Sequence, residues 1–140
     1  FYISLGSSDS TTNNSLNLMA KVKAIAHAIE ATQKNQSQSE VAHQALRMAT
    51  INGAKTLGWD NQIGSIESGK FADLIAIEID SINYQPLYNP ATQLVYGEHS
   101  SAITHSWVAG QPLLKAGNLC TVDEKKLIQS AKDWGKKLVN

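Results

Sequence analysis

The chain has 140 residues and a mass of 15.2 kDa, enough for one domain and too little for two ordinary ones. Hydrophobic residues make up 42%, charged residues 17%, and twelve Lys+Arg balance twelve Asp+Glu to zero formal charge; this is a globular composition without a disorder signature. Zero charge and a single arginine, Arg47, give no electrostatic case for a nucleic-acid backbone, so no nucleic acid is expected as a partner. No apolar run approaches the roughly 20 residues of a membrane span, and no membrane partner is expected.

In chain order, Tyr2-Ile3-Ser4-Leu5 reads as a strand that begins with no preceding turn, in a chain that starts at Phe1 rather than Met. The expectation is that an N-terminal part lies upstream. Gly6 stops the strand, and Ser7 to Ser15 are small and polar, which is loop chemistry. From Leu16 the apolar positions Leu16, Met19, Val22, Ile25, Ala26 and Ile29 fall at helical spacing, with Asn14 or Ser15 as N-cap. After a polar linker from Gln33 to Gln38, Ser39 caps a second helix whose buried face is Val41, Ala45, Met48 and Ala49. Thr50 to Leu57 continues as a further helical turn or two, closed by Gly58.

Near Trp59 the character changes from alanine-rich helix to glycine-punctuated strand. Glu67-Ser68-Gly69-Lys70 is a turn, followed by a strand from Ala72 to Ile79 buried on at least one face. Residues 80 to 92 form an irregular loop with Pro86, and a short helical turn runs from Pro90 to Val95. Ile103 to Val108 alternates as a strand, Ala109-Gly110-Gln111-Pro112 turns it, and Leu113 to Lys115 returns as the second arm of a hairpin. Gly117-Asn118 is another turn. Cys120, the one cysteine, reads as a small apolar residue in a strand; without a disulfide partner it favours a cytoplasmic origin. Thr121 to Glu124 has the form of a capping box that opens a terminal amphipathic helix, with Val122, Leu127, Ile128, Ala131 and Trp134 inward.

Four histidines, at 27, 43, 99 and 105, show no His-x-His or i,i+4 pair, so a complete zinc site from this chain alone is not expected. His27 and His43 read as helix-surface or packing residues, and His105 as a cross-strand partner. The polar loop says more. Gly6, two serines, Asp9 and Asn13-Asn14 at the end of a strand resemble the top of a barrel strand, where carboxylates and amides are placed for chemistry. Asp9 is the candidate catalytic and metal-ligating residue, since a carboxylate beside a cation stays ionised and shuttles protons. The alternative is that Asp9 and the two Asn are ordinary loop and cap formers. Gly64, Gly69 and Lys70 flank a turn that enters a strand, at a spacing wrong for a phosphate cradle.

Several stretches together resemble the C-terminal part of the metal-dependent amidohydrolase superfamily, in the branch of 5-methylthioadenosine/S-adenosylhomocysteine deaminases and triazine chlorohydrolases. They are Leu5-Gly6 with Asn13-Asn14-Ser15-Leu16, Ala45 to Lys55, Ile63 to Leu74, Pro86-Leu-Tyr-Asn-Pro with Leu94-Val-Tyr, and Trp107 to Pro112. The resemblance implies an α/β fold. Residues 1–58 would be the last strand and helix of a (β/α)8 barrel with linking helices, 59–120 the C-terminal part of a small β-sandwich, and 121–140 a terminal helix. It also implies a zinc or iron ion in the parent, held mostly by upstream histidines, and a small purine nucleoside as substrate. The parent would be a homo-oligomer, and this fragment alone would hold no metal and show no activity. The family usually reads Gly-Thr-Asp-Gly ahead of Asn-Asn, and counting back from Asn13-Asn14 at constant length puts Ser8 at the aspartate position. Either the loop shifts by one residue so that Asp9 reaches the metal, which is the reading adopted, or the carboxylate is lost and the chain is a non-catalytic remnant or assembly module. A lone barrel strand also leads to an expectation of fast amide exchange before Gln33 and slow exchange from Asp73 to Ile79, because the first helix would lack its packing partner.

Overall fold

A computed structural model describes residues 2–7, 16–97 and 103–138. Helix α1, Leu18–Thr32, starts where the Asn17 side chain accepts a hydrogen bond from the Ala20 amide at 3.2 Å. The expected caps Asn14 and Ser15 lie outside the described residues, and the helix begins after them. Helix α2, Gln38–Ala49, is capped by Ser37 rather than Ser39, because Ser37 and Glu40 stand at capping-box spacing. The Glu40 carboxylate takes the Ser37 amide at 2.8 Å while the Ser37 hydroxyl takes the Glu40 amide at 3.3 Å. The Ser37 backbone N–H, and then its hydroxyl, hold the Glu40 carboxyl below the usual carboxylate range. Helix α3, Ile51–Leu57, ends at Gly58, which takes the left-handed φ of 71° that a C-cap favours.

Helix α4, Pro90–Tyr96, completes the helical layer. Pro90 sits in the first turn, where its missing N–H costs nothing, and Asn89 caps it by accepting from the Thr92 amide at 3.0 Å. The same Asn89 donates to the Ser39 hydroxyl at 2.9 Å, tying α4 to the start of α2. The core is Val22, Ala26 and Ile29 of α1, Val41, Ala42, Ala45 and Met48 of α2, and Ala91 and Val95 of α4. Four of these nine are alanine, which lets the helix axes approach closely. Val22, Ala26 and Ile29 of the α1 stripe are therefore partnered from within the chain, which corrects the expectation that it would be bare, while Leu16 stays exposed.

Four antiparallel strands run in the order β1-β2-β3-β4: Leu74–Ile77, Ile103–Val108, Gln111–Lys115 and Asn118–Leu119. Leu74 pairs with Trp107 and Trp107 with Pro112. The two tight connections, Ala109-Gly110 and Ala116-Gly117, have positive φ at both positions (48° and 78°, 47° and 76°), the pair of signs that matches the twist of a hairpin. The Asp73 carboxylate receives the Ala109 amide at 2.7 Å and fixes the first of them. Strand β1 is shorter than the expected Ala72 to Ile79, and Ile75 is 53% exposed, so the strand is half-buried. The reason is an apolar groove of 390 Å³ between the sheet and the helices, lined by Leu18, Met19, Leu46, Ile75, Ile77 and Leu94 among others.

Other expectations are corrected at the chain ends. Tyr2 to Leu5 form no strand; among the described residues no strand lies beside them to supply a ladder. Cys120 lies one residue past β4 and is exposed. Helix α5, Glu124–Leu138, is capped by Asp123, whose carboxylate accepts from the Lys126 amide at 3.1 Å, rather than by Thr121. None of its residues is buried: Leu127, Ile128 and Trp134, expected inward, are exposed because α5 makes no extensive contact with another described element.

Candidate functional site

Ser8, Asp9, Asn13 and Asn14 lie outside the described residues, as does His99. What the structure defines is the chain that leads to them. Residues 2–7 have no regular secondary structure and contact three helices. The Leu5 amide donates to the Met48 carbonyl at the end of α2 at 2.9 Å. On α3, the Asn52 amide group donates to the Ile3 carbonyl at 3.1 Å, and the Lys55 ammonium stands 4.7 Å from the centre of the Tyr2 ring. From α1, the Lys21 ammonium donates to the Gly6 carbonyl at 3.3 Å. The segment is thus held at successive points up to two residues before Ser8.

The three described histidines behave as the sequence suggested. His43 is exposed on α2. His27 faces Glu30 one turn on, at 3.3 Å, and meets the Tyr96 ring edge-on at 5.4 Å. Tyr96 in turn donates its hydroxyl to Glu30 at 2.6 Å, joining α4 to α1; burial, with the Glu30 carboxylate adding to it, pushes the Tyr96 phenol up to about 12. His105 stacks flat on Trp107 at 5.4 Å, receives the Ala116 amide on Nε2 at 3.3 Å, and places Nδ1 3.0 Å from the Thr104 hydroxyl. Both its ring nitrogens are occupied in holding the sheet. Among the described residues no three His, Cys, Asp or Glu side chains converge on a point that could hold a metal ion. A metal cage built from the described residues alone does not fit this structure.

A polar cleft of 770 Å³ lies between α3 and the turn of residues 63–70, and includes Arg47, Lys55, Asp60 and Lys70 in its wall. Lys70 is mostly buried and bonded to the Ser65 hydroxyl at 2.6 Å and to Glu67 at 3.2 Å. Glu67 also accepts from Ser65; that hydroxyl first, then Lys70, keeps the Glu67 carboxyl below the usual range. The polar groups of the turn thus satisfy one another, as a structural turn requires. Gly64 has φ 91°, and a Cβ there would stand 2.7 Å from the Ala54 Cβ, so the turn packs directly on α3. Sequence reasoning missed Lys21, Asn52 and Tyr96, since each acts on a residue far away in the chain; only His27–Glu30, three residues apart, was open to a spacing argument.

Comparison with known proteins fits this architecture. The model of the amidohydrolase family matches residues 1–113. A 5-methylthioadenosine/S-adenosylhomocysteine deaminase from Teredinibacter turnerae is 39% identical over 136 residues, which cover 97% of this chain and 30% of the deaminase. The zinc-bound crystal structure of an adenosine deaminase from Xanthomonas campestris superposes with a TM-score of 0.86 at 32% identity, over 96% of this chain and 30% of that one. At the level of fold alone, a zinc-complexed atrazine chlorohydrolase from Arthrobacter aurescens matches with a TM-score of 0.81 at 24% identity, over 94% of this chain and 29% of its own. The chain spans about 30% of the length of these relatives. With the helical layer, the small antiparallel sheet and the family match in agreement, the chain belongs to the amidohydrolase family.

Proposed function

We propose that the chain is the C-terminal part of a metal-dependent hydrolytic deaminase of adenine nucleosides, of the 5'-methylthioadenosine/S-adenosylhomocysteine type, and that these 140 residues are inactive alone. The observation that carries this reading is the 39% identity to a deaminase of that type along 97% of the chain. Residues 1–58 are then the end of a (β/α)8 barrel with its linking helices, 59–120 the C-terminal share of a β-sandwich, and 121–140 a terminal helix. All four strands, from Leu74 to Leu119, fall within 59–120, which supports that division, while α4 of the same stretch joins the helical core. The partner is a free nucleoside, the working unit a homo-oligomer, and the unpaired thiol of Cys120 supports a cytoplasmic setting.

The reaction adds the oxygen of water to the amino-bearing purine carbon and breaks the carbon–nitrogen bond. One proton of the water leaves with ammonia and the other ends on the ring nitrogen. Asp9 is the residue of this chain assigned to the site, as a metal-ligating carboxylate that also moves protons. Among the described residues no three His, Cys, Asp or Glu side chains converge on a metal site, so the other ligands of the parent's zinc or iron would come from elsewhere in the parent. A second reading, a non-catalytic remnant, is favoured by one feature only: Ser8 stands where a constant-length count from Asn13-Asn14 places the family's aspartate, and a hydroxyl brings no charge to a cation.

The two readings separate in the full-length polypeptide. Asp9→Asn is expected to cut ammonia release from 5'-methylthioadenosine by about a hundredfold or more and to lower bound zinc, while Ser8→Ala leaves both near the parent's level. A full-length protein that neither binds metal nor releases ammonia is the remnant.

A further inference from the structure

We propose that the apolar face of α5 is a docking surface for the part of the parent polypeptide that precedes this chain, so that the helix clasps the C-terminus onto it; this rests on the reading of the chain as the C-terminal part of a longer protein. In α5 the residues Leu127, Ile128, Ala131, Trp134 and Leu138 recur at helical spacing and form one stripe. Trp134 is 65% exposed and Leu138 73%, and α5 makes no extensive contact with another described element. Lysines border the stripe on both sides, Lys126 and Lys137 along one, Lys125 and Lys132 along the other. Gly135 weakens the helix interior, but it sits at the edge of the stripe, and a Cβ there would meet nothing within 4 Å. That notch admits a neighbouring backbone close to the helix axis.

Two observations say that the face has a partner. A helix of 15 residues with nothing packed on it is marginal in water, because tertiary packing of an amphipathic face supplies most of a helix's stability. The helix is also shared with whole proteins. The family match ends at residue 113, ahead of α5, yet the identity to the Teredinibacter turnerae deaminase runs over 136 residues. The superposition on the Xanthomonas campestris structure covers 96% of this chain, which leaves too little uncovered to exclude the 15 residues of α5. In those proteins the matched part is about 30% of the length, so most of the surface able to cover α5 lies in the remainder.

Size decides between that remainder and a second copy. A helix of 15 residues is about 22 Å long, and pairing two such stripes across copies buries less than the roughly 1,000 Å² that a specific interface needs. Within one polypeptide the same small face suffices, because tethering supplies an effective concentration of about a millimolar. Charge gives the chemistry of the occupant. Lys126 and Lys136 are paired locally, with Asp123 and Asp133, which leaves Lys132 and Lys137, one on each side of the stripe, to meet acidic groups on the rim of an apolar groove.

The test is limited trypsin digestion of the full-length polypeptide, read by mass, since the lysines of α5 are themselves the cleavage sites. Cleavage within α5 is expected to be about tenfold or more slower in the parent than in Trp134→Asp, with Leu127→Asp behaving like Trp134→Asp and Gln129→Ala, on the opposite face, like the parent. The parent's rate should not change over a hundredfold dilution. Cleavage in the parent as fast as in Trp134→Asp would show the face bare in the whole protein and overturn the proposal. Protection lost on dilution, with a fall in mass by light scattering, would overturn it in favour of a second copy. Ammonia release from 5'-methylthioadenosine separates this from the proposed function: release with α5 unprotected refutes the docking alone, and protection of α5 without release supports the docking while the deaminase reading fails.

Discussion

At the scale of single residues, the contacts that join distant parts of the chain are few and specific. Tyr96 of α4 and Glu30 of α1 are 66 residues apart and share a 2.6 Å hydrogen bond in a half-buried setting. Because the Tyr96 phenol is pushed up to about 12, its protonated form is favoured in the folded state. The stabilisation is complete below the ordinary tyrosine range near 10 and is lost as pH rises from there through about 12. Unfolding followed by tryptophan fluorescence should show stability declining over that window in the parent and a flatter profile in Tyr96→Phe, which should also cost about 1 kcal/mol at neutral pH. Gly64 is the second such residue. Its φ of 91°, and the 2.7 Å that would separate a Cβ at this position from the Ala54 Cβ, predict that Gly64→Ala destabilises by roughly 1–3 kcal/mol or more; a variant with unchanged chemical denaturation would contradict the packing of that turn on α3.

At the scale of elements, local grammar was readable and mutual placement was not. Gly58 as the stop of α3 and the spacing of the α1 stripe follow from backbone and periodicity rules that act within a few residues; the two turns were readable in place but not in bounds, since Gln111 and Pro112 belong to β3 and Asn118 to β4. The cap of α2 was ambiguous by two positions, and Ser37 is distinguished from Ser39 only by Glu40 three residues on. That α1 buries Val22, Ala26 and Ile29 against α2 and α4 depends on residues up to 73 positions away, which no local pattern records. The same is true of α5, whose alternation predicts an inward face while the structure leaves Leu127, Ile128 and Trp134 in solvent. Native-state hydrogen exchange of the 140-residue chain should accordingly find the slowest amides in α1 and α2, with residues 2–7 and α5 fast. Slow exchange confined to β1, with α1 fast, would overturn the assignment of the core.

At the scale of the whole molecule, the family was legible because its signature stretches are turns and helix faces that this chain carries intact. The candidate site was not legible in the same way: Asp9 lies outside the described residues, no cluster of ligands forms among those that are described, and the chain spans about 30% of its relatives' length. Residues 2–7 are tied to the helical layer by Lys21, Met48 and Asn52. The most direct measurement of the account is the conversion of 5'-methylthioadenosine to its inosine counterpart by two purified samples, the 140-residue chain and the full-length polypeptide, each folded and supplied with zinc. The account predicts ammonia from the full-length polypeptide and none from the shorter chain; turnover by the shorter chain alone, or none by either, would contradict it.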